Sequence, residues 1–360
     1  MQFSLATNWD QNLINAVGRF TDLVELFGKL QRDCIYGGRD PRLIPFVTKR
    51  EVRLHIEHLH KNSKSFNYLL NSTCLGNKEF TRVGKSRITK LLDWLSELKV
   101  DRITVALPFL LRFIKKNYPW FRVSISCNAM VDTVRSAQQW EDLGADCITL
   151  NRLINRDFKT LESIRKNIKC NLQLVANQMC SYDNIFCLSD VNFSSHLDRP
   201  FLDMPPPYCL FNCSWKTFNE PSEFLRITWI RPEDTRYYEN IGINSLKLLD
   251  RISPTSQLLS VMGAFAKREF KGNLIELLYP KIRSYHIHKH VYIDNSKLND
   301  FIRGFSSRNC RLIACSDCDY CNKIAAKVVK IDKRFFKRLS KTFLNCMERI
   351  EGLADTKEKR

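Results

Sequence analysis

Four cysteines between residues 180 and 213 have the types and spacing to do chemistry. Cys180 and Cys187 stand seven apart, and after a polar stretch ending in Pro205, Pro206 and Pro207 come Cys209 and Cys213, four apart. Thiolates are soft ligands, and four gathered by loops suit an iron–sulfur cluster or zinc. A second group, Cys310, Cys315, Cys318 and Cys321, is spaced C-x4-C-x2-C-x2-C in a polar segment that offers thiols no packing role. It contains parts of two ferredoxin spacings, so iron–sulfur is favoured over a structural zinc knot, which stays open. The C-x3-C-x2-C spacing of radical enzymes that use S-adenosylmethionine is absent.

The elements that must position these thiols alternate short apolar runs with helical patterns. Strands are expected at 3–7, 23–27, 66–70, 103–107, 123–127, 147–150, 172–176, 227–230 and 246–249. Runs apolar at nearly every position indicate strands buried on both faces, as in a parallel sheet. Helical periodicity fills the gaps, as at Ile88, Leu91, Leu92 and Leu95, and Gly144 and Gly242 suit helix C-caps before a strand. The expected fold is therefore α/β, a TIM-barrel-like (β/α)8 with a small C-terminal Cys-rich α/β extension. An open doubly wound sheet is the alternative, but no Gly-x-Gly-x-x-Gly follows an early strand.

The domain reading is a barrel over 1–270 with a Cys loop at 178–216, an extension over 271–352 holding the Cys-rich segment 310–321, and a frayed tail at 353–360. Residues at strand C-termini line the working face of such a barrel. That expectation covers Asn8, Glu25, Asn71, Asn128, Asn151, Asn177 and Arg251, although each Asn alone also suits a local turn. Lys247, inside an apolar strand run, is costly unless it faces a cavity or a charge. With Arg251 it is the candidate catalytic pair, holding a carboxylate or phosphate; pairing with an acidic neighbour is the structural alternative. Arg39, in a Gly-Gly turn, is a candidate anion contact.

Beyond residue 270, His286, His288 and His290 alternate on an expected strand. A basic amphipathic helix is expected from Lys323 to Phe343, able either to grip a phosphate backbone or to pack and expose a solvated face.

A formal net charge of +19 points to an anionic partner, with RNA or another anionic macromolecule first among candidates, or else to a solvated basic surface. No apolar run is long enough to span a bilayer. The start lacks a secretory pattern, so a cytoplasmic protein with 14 reduced cysteines is expected.

Cys180-x6-Cys187-Leu-Ser and Cys209-x3-Cys213-Ser-Trp, with Ile230-Arg-Pro-Glu-Asp, the run from Tyr238 through Lys247 to Arg251, and Gly144-Ala-Asp, resemble the collagenase-like peptidase family U-32. The likeness covers roughly 1–270; the ending resembles a subgroup with an extra C-terminal Cys-rich segment. The resemblance implies a TIM-barrel-like fold with a [4Fe–4S] cluster on Cys180, Cys187, Cys209 and Cys213, while the spacing of Cys310, Cys315, Cys318 and Cys321 suits a second iron–sulfur cluster or zinc. It implies oxygen-independent hydroxylation, of ubiquinone precursors or of RNA, or other modification of RNA or another macromolecule, with the charge favouring RNA; an electron donor protein and a related barrel subunit are partners to look for. Two alternatives remain. One is a hydrolase acting on peptides or collagen-like substrates, for which neither His-Glu-x-x-His nor Gly-x-Ser-x-Gly is present and only a pair such as Cys187 with His196 offers itself. The other is a non-catalytic, metal-stabilised RNA-binding protein.

Overall fold

A computed structural model describes residues 1–38, 40–197, 208–278 and 287–352, with residues 208–210 described in their backbone alone. Arg39, His286 and the tail beyond 352 lie outside the described residues. The chain divides into two compact units. The first comprises residues 1–177, 191–199 and 229–270; the second comprises 178–190, 200–228 and 271–360.

The first unit is a closed barrel of eight parallel strands. These are β1 (Gln2–Ala6), β2 (Leu23–Gly28), β3 (Ser65–Leu70), β4 (Arg102–Val105), β5 (Arg122–Ile125), β6 (Cys147–Thr149), β7 (Asn171–Val175) and β8 (Ser245–Leu248). Each pairs with its neighbour in sequence, and β8 closes on β1 with Ser4 opposite Lys247. One face of each strand is apolar and packs outward. Phe3 meets Phe265 of the helix Thr255–Lys267, and Tyr68 meets Trp94 of the helix Arg82–Glu97.

The inward face is polar, whereas most barrels of this class fill their centre with branched aliphatic residues. Ser4 Oγ donates to Glu25 Oε1 at 2.9 Å, and Asn67 Nδ2 donates to the same oxygen at 3.0 Å. Thr104 Oγ1 donates to Asn67 Oδ1 at 2.8 Å. Arg102 pairs with Glu25 Oε2 at 2.8 Å and donates to Ser124 Oγ at 3.0 Å. Gln173 Nε2 donates to Ser4 Oγ and Ser245 Oγ, while its Oε1 accepts from Thr149 Oγ1. This belt draws at least one side chain from every strand. Buried polar groups are tolerable when bonded in this way.

Two expectations need correction within this unit. The run 227–230 is no ninth strand: it follows the short helix Glu223–Arg226, and Ile230 N makes one bond to Ala176 O. A barrel closed at eight leaves no edge to receive it. Glu25 sits in mid-strand within the belt, not at the C-terminal end of β2.

In the second unit the helix Tyr208–Asn219 packs on the helix Lys333–Glu351, with Phe218 against Phe336 and Phe343. A two-stranded antiparallel ribbon joins β9 (Val291–Ile293) to β10 (Val329–Ile331). The basic helix expected over 323–343 is therefore two helices, Tyr320–Val328 and Lys333–Glu351, interrupted by β10. Pairing of Val329 and Ile331 with β9 outweighs local helical periodicity, and Asp332 caps the second helix by accepting from Arg334 N and Phe335 N. The histidine strand is also absent: His288 lies in a single 3-10 turn, and His290 stacks on Phe335 and bonds Asp332.

Candidate functional site

At the C-terminal end of the barrel strands, Lys247 is buried in β8, with its Nζ 4.1 Å from the centre of the Phe27 ring. Its Nζ has no hydrogen bond or ion pair among the described residues. Burial holds its pKa below the usual lysine range, opposed by the charges of Glu25, Cys127 and Cys147 and reinforced by Arg251. Arg251, just beyond β8, is buried as well. Lys29, just beyond β2, is a third buried cation; it bonds Asp33 at 3.2 Å and the carbonyl of Ile35, and its pKa too is lowered, first by burial. Three cations thus share this end of the barrel. Lys29 escaped sequence reading, although it follows its strand as the expected Asn residues follow theirs.

Most of those asparagines serve the backbone. Asn8 Nδ2 donates to Ser253 O and Thr255 Oγ1. Asn151 caps a turn by accepting from Leu153 N, and Asn128 Nδ2 donates to Asn71 O. Asn177 clasps Leu249 from both sides, donating to its carbonyl at 2.8 Å and accepting from its N–H at 2.7 Å. Asn71 differs: its Oδ1 is buried and has no hydrogen-bond partner among the described residues. It is available to a donor on a ligand.

The cysteines of the loop all fall in the second unit. Cys180 N donates to Gln178 Oε1 at 2.6 Å, and Gln178 in turn donates to Thr228 Oγ1. Cys187 opens the helix Phe186–Ser195, which begins where Phe186 N donates to Asn184 Oδ1. The other end of the same amide, Asn184 Nδ2, is directed at the sulfur of Cys213. One side chain therefore ties the Cys187 element to the Cys213 element. Cys213 is buried in the helix Tyr208–Asn219, and Cys209 precedes it by four residues on the same helical face; the Cys209 side chain lies outside the described residues.

In the second cysteine group, Cys315–Cys318 forms one short helix and Cys321 begins the next, while Cys310 and Cys315 are exposed. Among the described residues no three His, Cys, Asp or Glu side chains are arranged to hold a metal ion. For the loop set, the chemistry of the donors still fits an iron–sulfur cluster: thiols from three elements, with an amide N–H directed at one sulfur. Cys187 lies in the second unit and His196 in the first, where it lies beside Gly76.

No helix among the described residues is long and apolar enough to cross a membrane. Residues 42–216 match the model of Peptidase family U32. The chain is 28% identical over 281 residues to an uncharacterized protease of Methanocaldococcus jannaschii, covering 78% of this chain and 82% of that one. The solved structure of the U32 peptidase Mk0906 is similar with a TM-score of 0.51 at 20% identity, over 69% of this chain and 93% of that chain. At that identity the structural likeness is one of fold.

Proposed function

We propose that this chain, which matches the model of peptidase family U32 over residues 42–216, is an iron–sulfur enzyme that modifies RNA by oxygen-independent hydroxylation or a related reaction. The observation that carries the reading is Asn184, whose amide caps the helix bearing Cys187 and donates to the sulfur of Cys213. Amide donors of this kind orient thiolate ligands and stabilise their charge. Cys180, Cys187, Cys209 and Cys213 would hold a [4Fe–4S] cluster, which when bound supplies one-electron chemistry fed by an electron donor protein. Cys310, Cys315, Cys318 and Cys321 would gather on a second metal, zinc or iron–sulfur, since ligands in such segments assemble with the ion.

The barrel residues do the binding. Arg251 and Lys247 hold an anionic group of the substrate, with Lys29 adding to the positive field and Asn71 Oδ1 accepting a donor. A net charge of +19 favours a polyanionic substrate. Anaerobic purification with iron, sulfide and zinc analysis tests the reading. At least four irons with acid-labile sulfide per chain, of which four are lost on Cys213→Ala, are the expected result; a colourless, zinc-only protein would sink it.

A peptidase is the second reading, favoured by the words protease and peptidase in the names of the two similar proteins. Four histidines argue against it: His55, His58, His60 and His290 bond Thr7, Gln11, Asp101 and Asp332, and none of these is a cysteine or serine nucleophile.

A further inference from the structure

The opposite end of the barrel, at the strand N-termini, carries a cationic trough that none of the chemistry above uses. A cleft of about 440 Å³ is lined by Ser96, Lys99, Arg102, Trp120 and Arg122. A second, of about 520 Å³, shares Arg102 and Arg122 with it and extends to Lys169 and Asn171. Together they cross the starts of β4 to β7.

Three observations give this trough a ligand. Arg102 and Arg122 are direct register partners on adjacent strands, where like charges repel. Arg102 is neutralised from within by Glu25, but Arg122, Lys99 and Lys169 have no side-chain ion pair among the described residues. Asp101 and Asp146 also line the clefts and offset part of this charge, though each is already turned to other partners. Asp101 is engaged by His60 and Phe66 N, and Asp146 by Lys115 and Val123 N.

Trp120 is 62% exposed, with its indole N–H anchored to Ser96 Oγ at 3.1 Å. An anchored, exposed indole beside free cations is the pairing that stacks a base and holds its phosphate. Lys99 adds a third sign. It occupies the left-handed turn between helix and strand at φ 54°, a position that Gly144 and Gly242 fill elsewhere in the barrel. Glycine suits that backbone better than lysine, although Ser63 fills the matching turn before β3.

We infer that this trough is a nucleotide site, in which Trp120 stacks a base and Arg122, Lys99 and Lys169 bind phosphate. The ligand is a nucleotide unit, either free or within a single-stranded RNA. The inference is independent of any metal in the second unit.

The test uses the full chain with AMP, inorganic phosphate and a labelled twelve-nucleotide single-stranded RNA. Binding is read by calorimetry, anisotropy and quenching of tryptophan fluorescence. Trp120→Ala and Arg122→Glu are each expected to weaken nucleotide binding about tenfold or more, with Trp120→Phe retaining most of it. Lys99→Gly is expected to weaken binding while raising the thermal midpoint, a combination that misfolding cannot produce. AMP binding that depends on Trp120 assigns the site to free nucleotides; dependence seen with the oligomer alone assigns it to RNA. Phosphate binding as tight as AMP binding, or nucleotide affinity unchanged in Trp120→Ala and Arg122→Glu, would overturn the inference.

Discussion

Arg102 on β4 and Glu25 on β2 pair at 2.8 Å inside the barrel, across the intervening β3. Neither is there by packing alone: Glu25 also accepts from Ser4 and Asn67, and Arg102 reaches Ser124. Replacing one partner strands a buried charge, which costs about 3–5 kcal/mol, whereas replacing both costs far less. Arg102→Met is therefore expected to lower unfolding stability by several times as much as the double variant Glu25→Gln with Arg102→Met. Urea denaturation of the three proteins decides this.

Acid lability is expected to begin at His55. Burial, with a smaller push from His58, drives its pKa down from 6.5 to about 4. Between those values the unfolded chain binds a proton that the folded chain refuses. Stability therefore falls as pH drops from 6.5 to 4, by about 3 kcal/mol in all. His55→Gln, which can still reach Thr7, should flatten that part of the thermal midpoint profile. A variant as acid-sensitive as the parent would exclude His55 as the cause.

Lys247 works in the opposite range of pH. Its folded pKa lies below 10.5, so near that value the unfolded chain holds the extra proton and stability rises with pH. Lys247→Met is expected to lose this alkaline rise and to be at least as stable as the parent at neutral pH. It is also expected to abolish turnover of the substrate. Retained turnover would remove Lys247 from the binding role proposed for it.

Asn184→Ala removes both the helix cap at Cys187 and the donor to Cys213. Metal affinity is expected to fall about tenfold to a hundredfold, as measured by competition with a chelator. Asn219→Ala, which loses a bond to Ser340 in the same unit, should leave metal affinity unchanged and serves as the control.

The barrel was legible because strands buried on both faces announce themselves as apolar runs, and all eight were found within two residues of their ends. The belt was not legible. Ser4, Glu25, Asn67 and Gln173 are isolated polar residues in those runs, and only closure of the barrel reveals that they face one another. Lys247 is conspicuous as a lysine within an apolar strand run, while Lys29, one residue past a strand end, carries no such mark. The helix over 323–343 failed for a different reason: its interruption depends on β9, a partner distant in sequence that no local pattern announces. The Asn residues at the strand ends looked like a ligand-binding set, yet most hold turns, which is what short amides do best.

The belt has a seam structure that bears on divisibility. Ser4, Glu25, Asn67, Arg102 and Thr104 bond among themselves within β1 to β4, and Thr149, Gln173 and Ser245 do so within β6 to β8. Arg102 with Ser124 and Gln173 with Ser4 are the side-chain bonds that cross from one half to the other. A chain cut between β4 and β5 leaves each fragment with its own arc intact. Such fragments, mixed, are well suited to find each other and rebuild the cylinder.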